Sequence, residues 1–433
     1  MERSAVRIEA PNELVRGQGQ GVRYAVWEIT LACDLGCRHC GSRAGKARPR
    51  ELSTEECLKV VADLAVMEVQ EVTLIGGEAY LREDWDQIAK AIGDAGMYCG
   101  ITTGGRGFDD ARLKRAIDAG VRVISVSLDG LRETHNAQRG TRDAFDNALA
   151  TARRVAASPI QLAVNTQINR LSMVELVGLS ELLIELGVKA WQLQLTVPMG
   201  RAADRADLLL QPYDLLDLFP LLDWIKREKL TPNGIDMFPG NNIGYFGEYE
   251  ERLRYGGAAG THWSGCKAGD GCIGIESDGA VKACPSLPTK QYTGGSALEG
   301  DVGDIVRDSP QINAIPKRSR DDLWGFCKTC YYGDVCKAGC NWTAHVLMGR
   351  PGNNPYCIHR ALEHEAQGLR EVLVRTKAAP GEPFDHGAFK TVTEPLEPKT
   401  DAAILGVPVE SILQLRPSDL SLRSDHTKRL RLI

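Results

Sequence analysis

Cys33-Asp-Leu-Gly-Cys37-Arg-His-Cys40 places three thiols at CxxxCxxC spacing, directly after the strand-like run Tyr24-Ala-Val-Trp-Glu-Ile-Thr30. Thiolates this close along a chain can converge on one metal centre without help from distant residues. Structural zinc closes a shell of four ligands, so a loop offering three leaves a position of its centre for something else. The pattern points to a cubane iron–sulfur cluster whose fourth iron binds a substrate or cofactor. A zinc knuckle, a redox dithiol or incidental core cysteines are the plainer alternatives. The strand before the loop and the strand–helix alternation after it favour the catalytic arrangement.

Eight of the 13 cysteines fall between Cys266 and Cys357. Cys266 and Cys272 precede Gly279-x4-Cys284; Cys327-x2-Cys330-x5-Cys336-x3-Cys340 follows, and then Cys357. A lone CxxC fits zinc or redox use equally well, whereas eight thiols suffice for two four-ligand centres, of iron–sulfur or of zinc. Cys57, inside an expected helix, and Cys99, inside an expected strand, are left over and read as core residues.

The elements that must position these groups alternate. Strands are expected at 24–30, 71–75, 98–103, 122–128, 161–167 and 190–196. Helices are expected at about 53–67, 84–95, 109–119, 143–157 and 172–186, the first opened by Ser53-Thr-Glu-Glu56, a capping signal. Six βα units with short apolar strands imply a parallel sheet with helices outside. The fold class is α/β, a partial (β/α)6 TIM-like barrel followed by a small cysteine-rich domain. In such folds the chemistry sits in loops at the strand C-terminal ends, where the cysteine loop and Gly76-Gly77-Glu78 both fall. The expected organisation is a lead-in at 1–22, the barrel at 23–200, a bridge at 201–260 around a helix at 213–229, the cysteine-rich domain at 261–375, and a tail at 376–433. From Pro380 the tail is rich in Pro, Gly, Thr and charge, with one apolar patch at 403–415, and is poorly placed to make a core.

The CxxxCxxC loop resembles the signature of the radical S-adenosylmethionine (radical SAM) superfamily. Gly76-Gly77-Glu78 resembles the GGE(P) segment that holds the methionyl amino group, with Ala79 where proline is usual. Ser125-Val-Ser127-Leu-Asp129-Gly130, with His135 and Arg139, looks like the SxDG…H…R segment of peptide- and protein-modifying members. The resemblance implies that Ser127 and Arg139 seat the SAM carboxylate and ribose, that Thr102 and Thr103 touch the ribose, and that His39 packs on the adenine. A surface arginine and a helix-capping aspartate are the ordinary alternatives for Arg139 and Asp129.

The C-terminal cysteines resemble the SPASM domain of peptide-maturing enzymes. That implies one auxiliary cluster on Cys266, Cys272, Cys284 and Cys340, and another on Cys327, Cys330, Cys336 and Cys357. The implied cofactors are SAM and three [4Fe-4S] clusters. The implied partners are a peptide or protein substrate and an electron donor such as flavodoxin or ferredoxin. The implied reaction is reductive cleavage of SAM to a 5′-deoxyadenosyl radical, which abstracts hydrogen from the substrate to install a crosslink, epimerisation or oxidation. The alternatives are a radical SAM enzyme acting on a small molecule or tetrapyrrole precursor, a sulfatase-maturating oxidase, and a non-catalytic metal-binding scaffold. Against the oxidase, Cys284 is followed by Pro285-Ser286 rather than Asp. A winged-helix leader-recognition domain needs more than the lead-in offers, so a leader peptide falls to the bridge, the tail or a partner protein.

Composition sets outer bounds. The chain has 433 residues, 43% hydrophobic and 25% charged, as in an ordinary globular protein large enough for more than one domain. A net charge of −5 argues against non-specific nucleic-acid binding, which requires a basic face. The N-terminus lacks a signal-peptide core and no apolar run spans a bilayer. A cytoplasmic protein is expected, whose cysteines bind metal rather than form disulfides.

Overall fold

The computed structural model describes residues 21–255, 263 and 265–396; most of the lead-in and the apolar patch at 403–415 lie outside them. The alternation is present: β1 (Tyr24–Glu28), β2 (Glu71–Ile75), β3 (Tyr98–Thr103), β4 (Val123–Ser127), β5 (Gln161–Ile168) and β6 (Ala190–Leu195) pair in parallel and in chain order. The first helix, Thr54–Val66, opens on Ser53 with the capping box its sequence signals. Within the alternation, one helix escaped the sequence reading. Arg132–Arg139 follows β4 and ends on Gly140 at φ 78°, the left-handed C-cap that glycine alone adopts without strain.

The sheet is larger than six strands. β7 (Asp236–Pro239), from the stretch read as a bridge, adds in parallel beside β6. β8 (Cys272–Ile275), from the cysteine-rich region, adds in parallel on the other side of β1, with Tyr24 opposite Cys272 and Val26 opposite Gly274. β9 (Ala280–Lys282) and β10 (Thr293–Ser296) extend that edge antiparallel. The ten strands run β10-β9-β8-β1-β2-β3-β4-β5-β6-β7, so barrel and cysteine-rich region share one sheet.

The two faces of the sheet differ in chemistry. Outward side chains such as Trp27, Leu74, Ile101, Val126, Val164 and Trp191 are buried under the helices. Cys57 and Cys99 lie in this core at 1% exposure, as expected. Inward positions alternate with them, as strand geometry requires, and most are half-buried rather than packed.

Arg48 crosses the seam between the regions. Its guanidinium lies 2.8 Å from Glu28 Oε1 and 2.9 Å from Glu276 Oε2, and donates to Ser277 Oγ. Burial nevertheless outweighs the pairing at Glu28 and pushes its carboxyl up to about 7.

The tail departs from its sequence reading. β12 (Ala388–Pro395) pairs antiparallel with β11 (Leu369–Lys377), and Phe389 is buried. The hairpin tip touches the far end of the cysteine loop. Asp385 Oδ1 accepts from Arg43 Nε at 2.8 Å, and the Asp385 carbonyl accepts from the Gly200 amide at 2.8 Å. No described helix is long and apolar enough to cross a membrane.

Candidate functional site

Cys37 is buried with Leu35 and Ala144 in one small cluster, and the half-buried Cys33 and Cys40 pack against it. Each sulfur receives an N–H donor: the Leu35 amide at 3.4 Å on Cys33, the Ala44 amide at 3.4 Å on Cys40, and the Arg139 guanidinium at 3.7 Å on Cys37. Ser42 Oγ also lies 3.5 Å from Cys40 Sγ. N–H groups converging on sulfur suit thiolate ligands, and three soft donors in one cluster fit an iron–sulfur centre.

The two strand-end glycines serve this loop. A Cβ on Gly76 would stand 2.4 Å from the Thr30 carbonyl oxygen, and one on Gly77 would stand 2.1 Å from that of Ala32. The amides of Gly77 and Glu78 donate to those same two carbonyls at 2.8 Å. The sequence suggested open backbone for a ligand; in the fold the glycines first let the cysteine loop lie against β2.

Glu78 is buried. Its carboxylate accepts from Thr103 Oγ1 and from the Gly104 amide, each at 2.6 Å, and burial raises its pKa to about 7. Its oxygen, one from Asp34 and the Cys33 sulfur all lie within 4.8 Å of one another. Thr103 is thereby engaged with Glu78, while Thr102 faces the barrel interior beside Ser125.

Asp129 is the hub of the other side. It is fully buried, with Oδ2 at 2.6 Å from Arg139 and 3.3 Å from His39 Nε2, and Oδ1 accepting from the Gln167 amide at 2.9 Å. Its own amide donates to His135 Nδ1, and Gln138 donates to its carbonyl. Arg139 is thus no surface arginine and Asp129 no helix cap. Burial depresses His39 to about 4 and His135 to about 3, so both rings are neutral at pH 7. His39 is turned onto Asp129 with a side chain 7% exposed.

Two supports escaped the sequence reading. Arg201, after β6, donates to the carbonyls of Cys37 at 2.7 Å and Ala44 at 3.1 Å. Gly200, at φ 56°, passes so close that a Cβ would stand 2.3 Å from the Cys40 and Gly41 carbonyl oxygens. No local pattern in Pro198-Met-Gly-Arg201 announces this, because the contact depends on β6 ending beside β1's loop in space.

The inner wall of the sheet is uncharged over β4–β6. Ser127, Asn165 and Gln192 are aligned in register. Above them Gln167 donates to Gln194 at 3.2 Å. Among the described residues, no inward-facing strand position from β1 to β7 is Lys or Arg.

The eight C-terminal thiols separate into two foursomes. Cys272 feels the charges of Cys266, Cys284 and Cys340, and Cys340 those of Cys266 and Cys284. Cys336 feels those of Cys327, Cys330 and Cys357. All four of the latter line one cavity, walled by Tyr245, Phe246, Phe326, Tyr332 and His359. Nearby amides reach most of these sulfurs, among them Ala268 on Cys266, Ser286 on Cys284, Gly339 on Cys336 and Arg360 on Cys357. Four clustered thiols apiece fit either a cubane or a tetrahedral zinc by donor type.

A thiol trio at the mouth of an open parallel barrel, backed by closely packed glycines and buried ion pairs, is an arrangement suited to a metallocofactor. Residues 27–167 match the sequence profile of the Radical SAM superfamily. Similar proteins include the AdoMet-dependent heme synthase of Methanosarcina barkeri, 28% identical over 349 residues, covering 78% of this chain and 97% of that one. The mycofactocin maturase MftC of Mycobacterium tuberculosis is 28% identical over 378 residues, covering 86% and 90%. Among solved structures, Streptococcus suis SuiB bound to its precursor peptide SuiA superposes with a TM-score of 0.60 at 17% identity, covering 78% and 75%. Residues 27–167 thus form a radical SAM domain, which supports a SAM-dependent enzyme, and the chain continues beyond it in a C-terminal extension. SAM and a [4Fe-4S] cluster are the cofactors of this class.

Proposed function

We propose that this enzyme modifies a ribosomally made peptide or protein, with Cys33, Cys37 and Cys40 holding the cluster that SAM joins. Cys266, Cys272, Cys284 and Cys340 hold one auxiliary [4Fe-4S] cluster, and Cys327, Cys330, Cys336 and Cys357 the other. When bound, reduced cluster and SAM supply a 5′-deoxyadenosyl radical for hydrogen abstraction. The chain's own part is to hold, orient and keep dry. Gly76 and Gly77 seat the cysteine loop, Arg201 and Gly200 clamp it from β6, and Thr102 and Ser127 offer hydroxyls to the cofactor from the wall. An external one-electron donor of the flavodoxin or ferredoxin kind supplies reducing equivalents.

The observation that carries the substrate class is the inner wall. Asn165, Gln167, Gln192 and Gln194 present carboxamides, each both donor and acceptor, and these complement peptide amides. A tetrapyrrole bearing several carboxylates calls for cations, and the inward strand positions supply none. The likeness to heme synthases favours the tetrapyrrole reading, and the wall weighs against it. Anaerobic incubation with SAM, dithionite and the peptide encoded beside the gene, read by mass spectrometry, tests the proposal. A substrate mass change with 5′-deoxyadenosine formation is expected. Turnover of a carboxylated tetrapyrrole with no change in any peptide would overturn it.

A further inference from the structure

Cys37 is held differently from its two neighbours. Cys33 and Cys40 take their N–H donors from amides two and four residues along the chain. Cys37 takes its donor from the guanidinium of Arg139, 102 residues away. Arg139 is itself buried, at 8% exposure. Its other terminal nitrogen lies 2.6 Å from Asp129 Oδ2. The helix carrying it ends on Gly140, where a Cβ would stand 2.7 Å from the Gly36 carbonyl oxygen, so the helix end is pressed against the cysteine loop. The guanidinium cannot turn away without stranding a fully buried carboxylate, a costly state.

We infer that Arg139 is a positioning residue that sets the reduction potential of the first cluster through Cys37, with Asp129 fixing its aim. The inference rests on reading Cys33, Cys37 and Cys40 as cluster ligands. The physical basis is simple. Reduction adds one electron to the cluster, making it more negative, and a cationic N–H donor at a ligand sulfur stabilises the more negative state. The cluster's potential therefore lies higher with Arg139 in place than without it. The same geometry leaves Arg139 committed to Asp129 and Cys37, rather than poised as a clamp for the cofactor's carboxylate.

The test is a potentiometric titration of the anaerobically reconstituted full chain, followed by electron paramagnetic resonance. The first cluster is identified as the reduced signal that changes when SAM is added. Arg139→Gln removes the charge, and Arg139→Lys keeps it with a shorter, single-point donor. With iron content matched to wild type, Arg139→Gln is expected to lower the midpoint by about 59 mV or more, a tenfold change in the reduced-to-oxidised ratio for one electron. Arg139→Lys is expected to recover part of that shift, and it carries the test if the glutamine variant fails to load iron. An unchanged midpoint in the loaded variants overturns the inference, and loss of SAM affinity alongside it would assign Arg139 to the cofactor instead. A wild-type protein with no SAM-responsive signal would overturn the cluster reading itself, a different outcome.

Discussion

The cysteine loop of the barrel and the cysteine-rich region of the extension hold their thiols in contrasting ways. In the extension most sulfurs take an amide two or three residues further on, as Cys330 does from Tyr332 and Cys340 from Thr343. Around Cys33–Cys40 the supports come from the whole barrel: Gly76 and Gly77 after β2, Asp129 and Arg139 after β4, and Gly200 and Arg201 after β6. A locally supported centre is self-contained. A centre supported from three strand ends is adjustable, because each support can change its geometry or charge without altering a ligand.

Removing a ligand should break the contrast most sharply. Cys37→Ala is expected to lose about four of roughly twelve irons per chain and to abolish SAM cleavage. Cys330→Ala should lose a similar amount of iron while SAM cleavage in the absence of substrate persists. Metal analysis and 5′-deoxyadenosine assay distinguish the two. Asp129→Asn comes next. It leaves the Arg139 cation without its buried partner and should cost about 3–5 kcal/mol in denaturant unfolding; the second foursome has a comparable buried pair in Arg360 and Glu371, 2.6 Å apart. Gly200→Ala forces a side chain into the left-handed region and against two carbonyl oxygens, and about 3 kcal/mol is expected. The lost stability should be accompanied by loosened iron at the first site only, read by chelator-release kinetics.

The pH dependence separates barrel from extension more gently. Burial raises Glu71, on the inner face of β2, to about 7. A carboxyl whose folded pKa is raised favours the folded state while protonated, so its contribution is full below about 4.5 and is lost as pH rises through 7. Glu71→Gln should therefore unfold like wild type near pH 5 and be more stable by about 2 kcal/mol at pH 8. A constant gap across that range would refute the assignment. The smallest effect is expected at Cys57. Cys57→Ala should cost about 1 kcal/mol through a small core void and leave the iron content unchanged.

Much of this was legible in the residues. The six parallel strands announced themselves by apolar runs whose outward positions are now buried, and the Ser53 capping box lies where its residue types required. The sorting of the eight late thiols followed from the resemblance to the SPASM pattern, since local spacing alone would group Cys340 with Cys327, Cys330 and Cys336. What the chain did not announce depends on long-range closure. β7 and β8 are four residues each, too short for periodicity to distinguish from loops. The seating of the cysteine loop by Gly76 and Gly77 was not legible because a glycine pair admits a ligand or another stretch of backbone equally well, and sequence does not say which. Asp129 could pass for a helix cap because its partners, His39 and Arg139, lie 90 positions before it and ten after it.

The pairing of β8 with β1 bears on how the polypeptide is made. Tyr24 must wait for Cys272 to emerge before its second hydrogen-bonded neighbour exists, and contacts that distant in sequence form slowly. Until then β1 is an exposed sheet edge, a template for pairing with the wrong chain. A truncation that keeps the six-strand alternation but stops before residue 272 retains that edge permanently. Insolubility of such a fragment would reflect an unfinished sheet. A chimera that exchanges the cysteine-rich region must therefore carry β8 and Glu276 with it, or supply Arg48 and the edge of β1 with new partners.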